Sequence, residues 1–349
     1  MATGTRALLD ATEQPEQPML WLGMAGFAPA QRASLEAALG SSTGSSRWRV
    51  CSFGDADGWW VNGAKCSLLA GGTLKVAAGL PTERALKLDL SQVNRPLAFS
   101  KPLASKEIDP LCVFDPDSQQ SIVTTLLQFE TWLRPVRAQF VLGALLIQRN
   151  SKERRGIYHL NHRGVMIAVL DFQEGQVALL PGVQPADLWL GEWDKRPHGA
   201  GKPPANFERY STTQLAWAYV CRTDRDMLPP RYRTDTVYYR HVPRVPLRWL
   251  GDTQLTLLRE LSSEPGTLQS LGQRTGMAVR QIEHDLACLY YAGSVTTTPA
   301  NAAALAASHS EGRDDSLDPG KDSLLERAHA HSALMTLPLR LDEQSEPGR

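Results

Sequence analysis

DTQLTLLRELSSEPGTLQSLGQRTGMAVRQIEHDLACLYYAGSVTTT, residues 252–298, is the stretch on which the reading of this chain turns. Leu255, Leu258 and Leu261 recur at every third position behind Asp252 or Thr253, which predicts a capped helix with one apolar face. Pro265-Gly266 ends that helix, and Thr267 caps a second with Leu268 and Leu271 turned inward. Arg274-Thr275-Gly276 makes a tight turn into a third helix from about Ala278, with Ile282, Leu286 and Leu289 on its buried face until Gly293. Residues 294–298 (SVTTT) then read as a single β segment. Caps, turns and apolar spacing agree on a compact helix-turn-helix unit.

Within it, QSLGQRTGMAVRQIEHDLACLYYAGSV resembles a winged-helix domain, with its helix, turn, second helix and the strand that opens a wing. The resemblance covers residues 252–298 and implies binding of DNA, RNA or protein, because the fold alone does not choose among them. Charge makes the choice. Arg259, Arg274 and Arg280 stand against Asp252, Glu260, Glu264, Glu283 and Asp285, a net of −2. The third helix offers Arg280, Gln281 and His284 as candidate contacts, with Arg274 in the preceding turn, but Glu283 and Asp285 beside phosphates would oppose binding. A protein partner is therefore the first expectation and DNA the second.

Immediately upstream, residues 223–250 form an Arg- and Pro-rich connector. Counted from Arg222, it carries Arg225, Arg231, Arg233, Arg240, Arg244 and Arg248 with Tyr232, Tyr238, Tyr239 and Trp249 interleaved, against Asp224, Asp226 and Asp235. Arginine among aromatics suits phosphates and stacked bases, including a cyclic dinucleotide. Clamping of neighbouring domains is the plainer explanation. Arg149, Arg154 and Arg155, in a second basic cluster, are the remaining candidate ligand contacts with Arg231, Arg233, Arg240 and Arg244.

The rest of the chain reads as two further domains between a flexible leader, 1–18, and an expected disordered tail, 300–349. An apolar run at 19–27, a helix at 28–39 and strands near 48–53, 59–61, 74–76, 85–90 and 97–99 predict an α/β domain over 19–110. Residues 111–222 carry a long helical pattern from Ser121 towards Ile147, kinked or split at Pro135. A β meander at 156–160, 165–172 and 176–180 follows, then a helix near 211–220. The fold class is thus multi-domain α/β plus α+β, ending in the helix-turn-helix unit at 251–299.

Phe99-Ser100-Lys101-Pro102 resembles the Lys-Pro that follows a strand in response-regulator receivers, and the element order from residue 19 is similar. That family holds Mg²⁺ with paired acids after its first strand and phosphorylates an Asp after its third. Gly26-Phe27 and Val61-Asn62 occupy those places here, so the resemblance implies a receiver-like head without phosphotransfer, a pseudo-receiver.

Other chemistry is not indicated. Asp55-Ala56-Asp57-Gly58 opens like a calcium loop, but Cys66 stands at the twelfth position and no Gly at the sixth. His159 and His162 have no third ligand nearby, no catalytic motif is present, and neither a cofactor nor a metal is expected. Lys plus Arg and Asp plus Glu both number 37, which argues against indiscriminate coating of nucleic acid or membrane. Five scattered cysteines without a CxxC pair point to a reducing cytoplasm, and no apolar run is long enough to span a bilayer. The expectation is a non-enzymatic, bacterial-type signalling adaptor that docks a protein partner, with a DNA-binding transcription regulator and a cyclic-dinucleotide effector as alternatives.

Overall fold

The computed structural model describes residues 16–40, 44–81, 84–104, 108, 110–148, 156–197 and 199–302. It has mixed α/β content and divides into two compact units, one of them Leu20–Phe129, the other made by the described residues 16–19 and 130–302.

The first unit is built on β1 (Met19–Ala25), α1 (Pro29–Gly40), β2 (Arg47–Cys51) and β3 (Gly58–Asn62), followed by β4 (Cys66–Leu69), β5 (Thr73–Val76), β6 (Leu86–Asp89), β7 (Leu97–Ser100), β8 (Val113–Phe114) and α2 (Gln119–Trp132). Its main sheet has the order β2-β1-β3-β7-β8, one of the common doubly wound orders, and β1–β3, β3–β7 and β7–β8 pair in parallel. Parallel neighbours need a crossover. Between β3 and β7 a three-stranded antiparallel sheet, β4-β5-β6, provides it in place of a helix. Successive strand residues face opposite ways. Trp60 accordingly packs on Phe114, with ring centroids 4.6 Å apart, while Val61 joins Phe99, Leu74 and Val76 under the small sheet. The strands β4 and β8 were not expected from sequence, both being too short for a clear alternation.

The second unit opens with α3 (Arg134–Gln148), so that the long helical pattern is two helices, with Pro135 at the second position of α3 where a missing N–H costs nothing. Then come β9 (Ile157–His162), β10 (Val165–Asp171), β11 (Gln176–Leu179), α4 (Pro185–Leu190), β12 (Glu192–Lys195), β13 (Glu208–Ser211) and α5 (Thr212–Val220). The three meander strands are the centre of a five-stranded antiparallel sheet, β12-β9-β10-β11-β13, whose two edge strands are too polar to announce themselves. Ser211 and Gln214 close a reciprocal capping box on α5. Residues 138 to 146 of α3 are buried all round, as expected of a helix sandwiched between layers. Where α3 meets α5, a Cβ on Gly143 would lie 2.1 Å from the Leu215 carbonyl oxygen.

Beyond α5 the chain makes α6 (Arg231–Thr234), β14 (Tyr238–Tyr239), α7 (Asp252–Ser263), α8 (Leu268–Thr275), α9 (Val279–Tyr291) and β15 (Val295–Thr296). Thr267 caps α8 and Gly276 ends it at φ +70°, as the sequence pattern requires. The start of α7 differs from expectation. Its N-cap is Gly251, whose N–H donates to the Gln254 side chain, so neither Asp252 nor Thr253 caps it. Its inward face is Gln254, Leu257, Leu258 and Leu261, the fuller i, i+3, i+4, i+7 set, and Leu255 is 41% exposed. One apolar core runs from Ala138 on α3 through the sheet and α5 to Leu289 and Val295, so residues expected as three separate segments contribute to it together. The leader too is partly engaged: Glu16 accepts a hydrogen bond from Tyr219 and pairs with Arg225 at 3.0 Å, and the Met19 N–H donates to the Arg222 carbonyl.

The α3–α5 crossing gives a direct test of this packing. Gly143→Ala forces two backbones apart and is expected to cost about 1–3 kcal/mol in urea unfolding. Gly201→Ala, with nothing within 4 Å, should be close to neutral. Equal effects would mean the helices do not cross at Gly143.

Candidate functional site

Four connector arginines were singled out from sequence, and the structure treats them unequally. Arg233 is occupied: its guanidinium bonds Glu283 on α9 at 3.0 Å and also Asp226, which holds the Asp226 carboxyl below its ordinary range. Arg231, Arg240 and Arg244 have no carboxylate partner among the described residues.

Those three arginines gather around β14 and β15. The strand pair joins Tyr238 to Thr296 and Tyr239 to Val295 in antiparallel register. Past its end, the Arg240 N–H donates to the Ser294 carbonyl at 2.8 Å and the Arg244 N–H to the Ala292 carbonyl at 3.0 Å. On the other side of the pair, Val237 and Gly266 exchange backbone hydrogen bonds. The partner of the β segment after α9 therefore comes from before the three helices. Gly293 at φ +80° makes the turn into β15, with the His241 ring 3.2 Å from where a Cβ would stand.

At the centre lies Tyr232, 1% exposed, its hydroxyl donating to the Val295 carbonyl at 3.2 Å. Burial pushes this phenol up to about 12, while the nearby guanidinium groups of Arg231 and Arg240 pull the other way. The Arg231 guanidinium also lies over the Tyr232 ring, 5.6 Å from its centroid. Nε of Arg240 and Nε2 of His241 are enclosed and have no hydrogen-bond partner among the described residues. His241 Nδ1 donates to the Val242 carbonyl at 2.7 Å, which leaves Nε2 of the neutral ring an acceptor, whereas Arg240 Nε is an enclosed donor of the kind that costs about 1–3 kcal/mol to leave unmatched.

On the helices, the acids that weighed against nucleic acid are differently placed than a count suggests. Asp285 is 2% exposed and accepts a hydrogen bond from Gln281 at 2.9 Å, with Thr253 and Gln254 also bonded to it. Burial raises its carboxyl above the ordinary range. Glu283 is paired to Arg233, and Glu264 to Arg274 at 2.9 Å. Arg274 and Gln281 are thereby engaged within the fold. His284 lies with Nε2 3.8 Å from Cys288 Sγ. Arg280 is exposed at the start of α9, next to Val279, and has no ion-pair partner among the described residues. Arg149, Arg154 and Arg155 lie outside the described residues.

In the first unit the chain closes on itself at the carboxyl ends of β3 and β7, while a cavity lined by Gly26, Arg32, Phe53, Val76 and Arg84 opens beside the end of β1. The Asn62 amide donates to the Gly26 carbonyl at 3.0 Å, and the Gly63 N–H to Ser100 Oγ at 3.3 Å. A Cβ on Gly79 would stand 2.1 Å from the Phe27 carbonyl oxygen. Lys101 is exposed and follows the fourth strand of the sheet order rather than the last. His159 and His162 lie nearest to Asp194 and Asp187, at 3.9 and 3.4 Å, and no group of three potential metal ligands occurs among the described residues. No described helix is long and apolar enough to cross a membrane.

No family model matches this sequence, and neither a curated protein nor a solved structure matches it.

The buried Asp285 generates a pH prediction. Its folded-state carboxyl titrates above the unfolded one, so the stability it permits is complete below the unfolded value near 4 and is lost as pH rises through the folded value. Asp285→Asn removes that loss. Urea midpoints should favour the variant increasingly as pH rises above about 4, by about 1.4 kcal/mol per unit of elevation, and level off above the folded value. Parallel curves for the two proteins would show that Asp285 is not held in a desolvated site.

Proposed function

We propose that this protein is a regulator that binds duplex DNA through residues 223–298, the three helices acting together with the connector arginines. The observation that carries this reading is the gathering of Arg231, Arg240 and Arg244 around the strand pair that β14 forms with β15, each without a carboxylate partner among the described residues. Cations of this kind neutralise phosphates and supply most of the sequence-independent affinity. The winged-helix resemblance supports α9 as the element that meets the major groove, and the exposed Arg280 at its start is suited to a guanine edge.

The main argument for protein docking was the acidic balance of the helices, and it weakens once Asp285 is buried and Glu264 and Glu283 are paired. An adaptor role keeps one support, the exposed Leu255 and Val279 on α7 and α9. The strand order of the first unit and the lack of a carboxylate at Gly26 or Asn62 support a pseudo-receiver, whereas Lys101 after the fourth strand and the small sheet in place of a crossover helix depart from that pattern.

Fluorescence anisotropy with a random-sequence duplex at several salt concentrations tests the reading. The log affinity should fall linearly with log salt, and converting Arg231, Arg240 and Arg244 together to Gln should reduce the slope by about 2–3. Arg280→Ala should cost about 1–3 kcal/mol on a selected site and less on random DNA. Binding that is absent at low salt, or unchanged in the triple variant, would reject a DNA role and leave the adaptor.

A further inference from the structure

Two thiols 67 positions apart in sequence meet inside the second unit. Cys221 caps the C-terminal end of α5 and is half-buried, whereas Cys288 on α9 is fully enclosed, and their Sγ atoms stand 3.2 Å apart with Cys221 donating. One turn back on α9, Nε2 of His284 is 3.8 Å from Cys288 Sγ. The result is a short line from the thiol of a partly exposed residue to a buried thiol to an imidazole. A disulfide needs the sulfurs about 2.05 Å apart, so closing it asks for a movement of roughly 1 Å. The other cysteines lie in the other unit, and burial pushes the Cys66 thiol up to about 11 and raises Cys112 as well.

We propose that Cys221 and Cys288 are a reversible dithiol–disulfide site, oxidised by a peroxide, that fastens α9 to α5. Cys221, as thiolate, attacks one oxygen of hydrogen peroxide, giving a sulfenic acid and, with one proton, the first water. Cys288 sulfur then attacks the Cys221 sulfur, the S–O bond breaks, and hydroxide leaves as the second water. The proton that Cys288 gives up passes by way of His284 to that hydroxide, which completes the second water. Two electrons leave the thiol pair and reduce one peroxide. Attack begins at Cys221 because it is the partly exposed residue of the two, and Cys288 serves as the resolving partner because it is already in line. Since α9 carries Arg280 and Glu283, the bond would fix the helix that the DNA reading assigns to the groove, although the redox site itself stands without that reading.

The test uses the full native chain, first reduced and then treated with a small excess of hydrogen peroxide. Intact mass should fall by about 2 Da, and non-reducing peptide mapping should join the Cys221 and Cys288 peptides. The midpoint of thermal unfolding should rise by several degrees and return on adding dithiothreitol. Cys221→Ser, at a half-exposed position that leaves the buried Cys288 untouched, should lose both the cross-link and the shift, and Cys51→Ser should keep both. The proposal is overturned if native protein gains oxygen without a 221–288 link, if the link forms only in denaturant, or if Cys221→Ser still shows the reductant-sensitive shift.

Discussion

The antiparallel contact of Tyr238–Tyr239 with Val295–Thr296 determines how the second unit orders the arginines around it. A two-residue strand pair alone is marginal in water. Here it is held from beneath by Tyr232, whose hydroxyl reaches the Val295 carbonyl, and from the side by the Val237–Gly266 bridge. Remove that contact and the Arg240 and Arg244 amides lose the Ser294 and Ala292 carbonyls. The arginines would then be a charged linker, with their geometry unspecified and the entropy of ordering them still to be met on binding. With it in place, the chain that carries them is anchored through Tyr232, Val237 and Val245 to the same core that includes α9.

Some of the cations of this unit are engaged by carboxylates of the fold and others are not. Arg233, Arg274 and Arg225 are spent on Glu283, Glu264 and Glu16, and such pairs, at or near the surface, contribute little individually. Their value is positional: Arg233 ties α6 to α9, Arg274 on α8 holds the end of α7, and Arg225 holds residue 16 to the segment after α5. Buried Asp285 acts oppositely: its three hydrogen bonds lower the cost of burial, yet desolvation still dominates. Both kinds of residue looked alike as letters in a charge count.

The helices 252–263, 268–275 and 279–291 were legible because caps, stops and apolar period are local signals. The three central strands of the antiparallel sheet were legible for the same reason. What stayed hidden is non-local. Nothing around Tyr238 says that its neighbour is Thr296, and nothing around Cys221 announces Cys288. Leu255 was placed inward on a three-residue spacing that Leu257, Leu258 and Gln254 outcompete once a partner face exists. Of the candidate site, Arg231, Arg244 and Arg280 are exposed and Arg240 is partly enclosed, while Arg233, Arg274 and Gln281 turn to partners that only the fold supplies.

Backbone hydrogen exchange at the connector tests the central claim most directly. The account predicts that the amides of Val237 and Arg240, which donate to Gly266 and Ser294, exchange slowly and in step with the core of α9. Exchange at the rate of an unstructured chain while α9 stays protected would contradict it. The arginines would then be a tether rather than part of a formed surface.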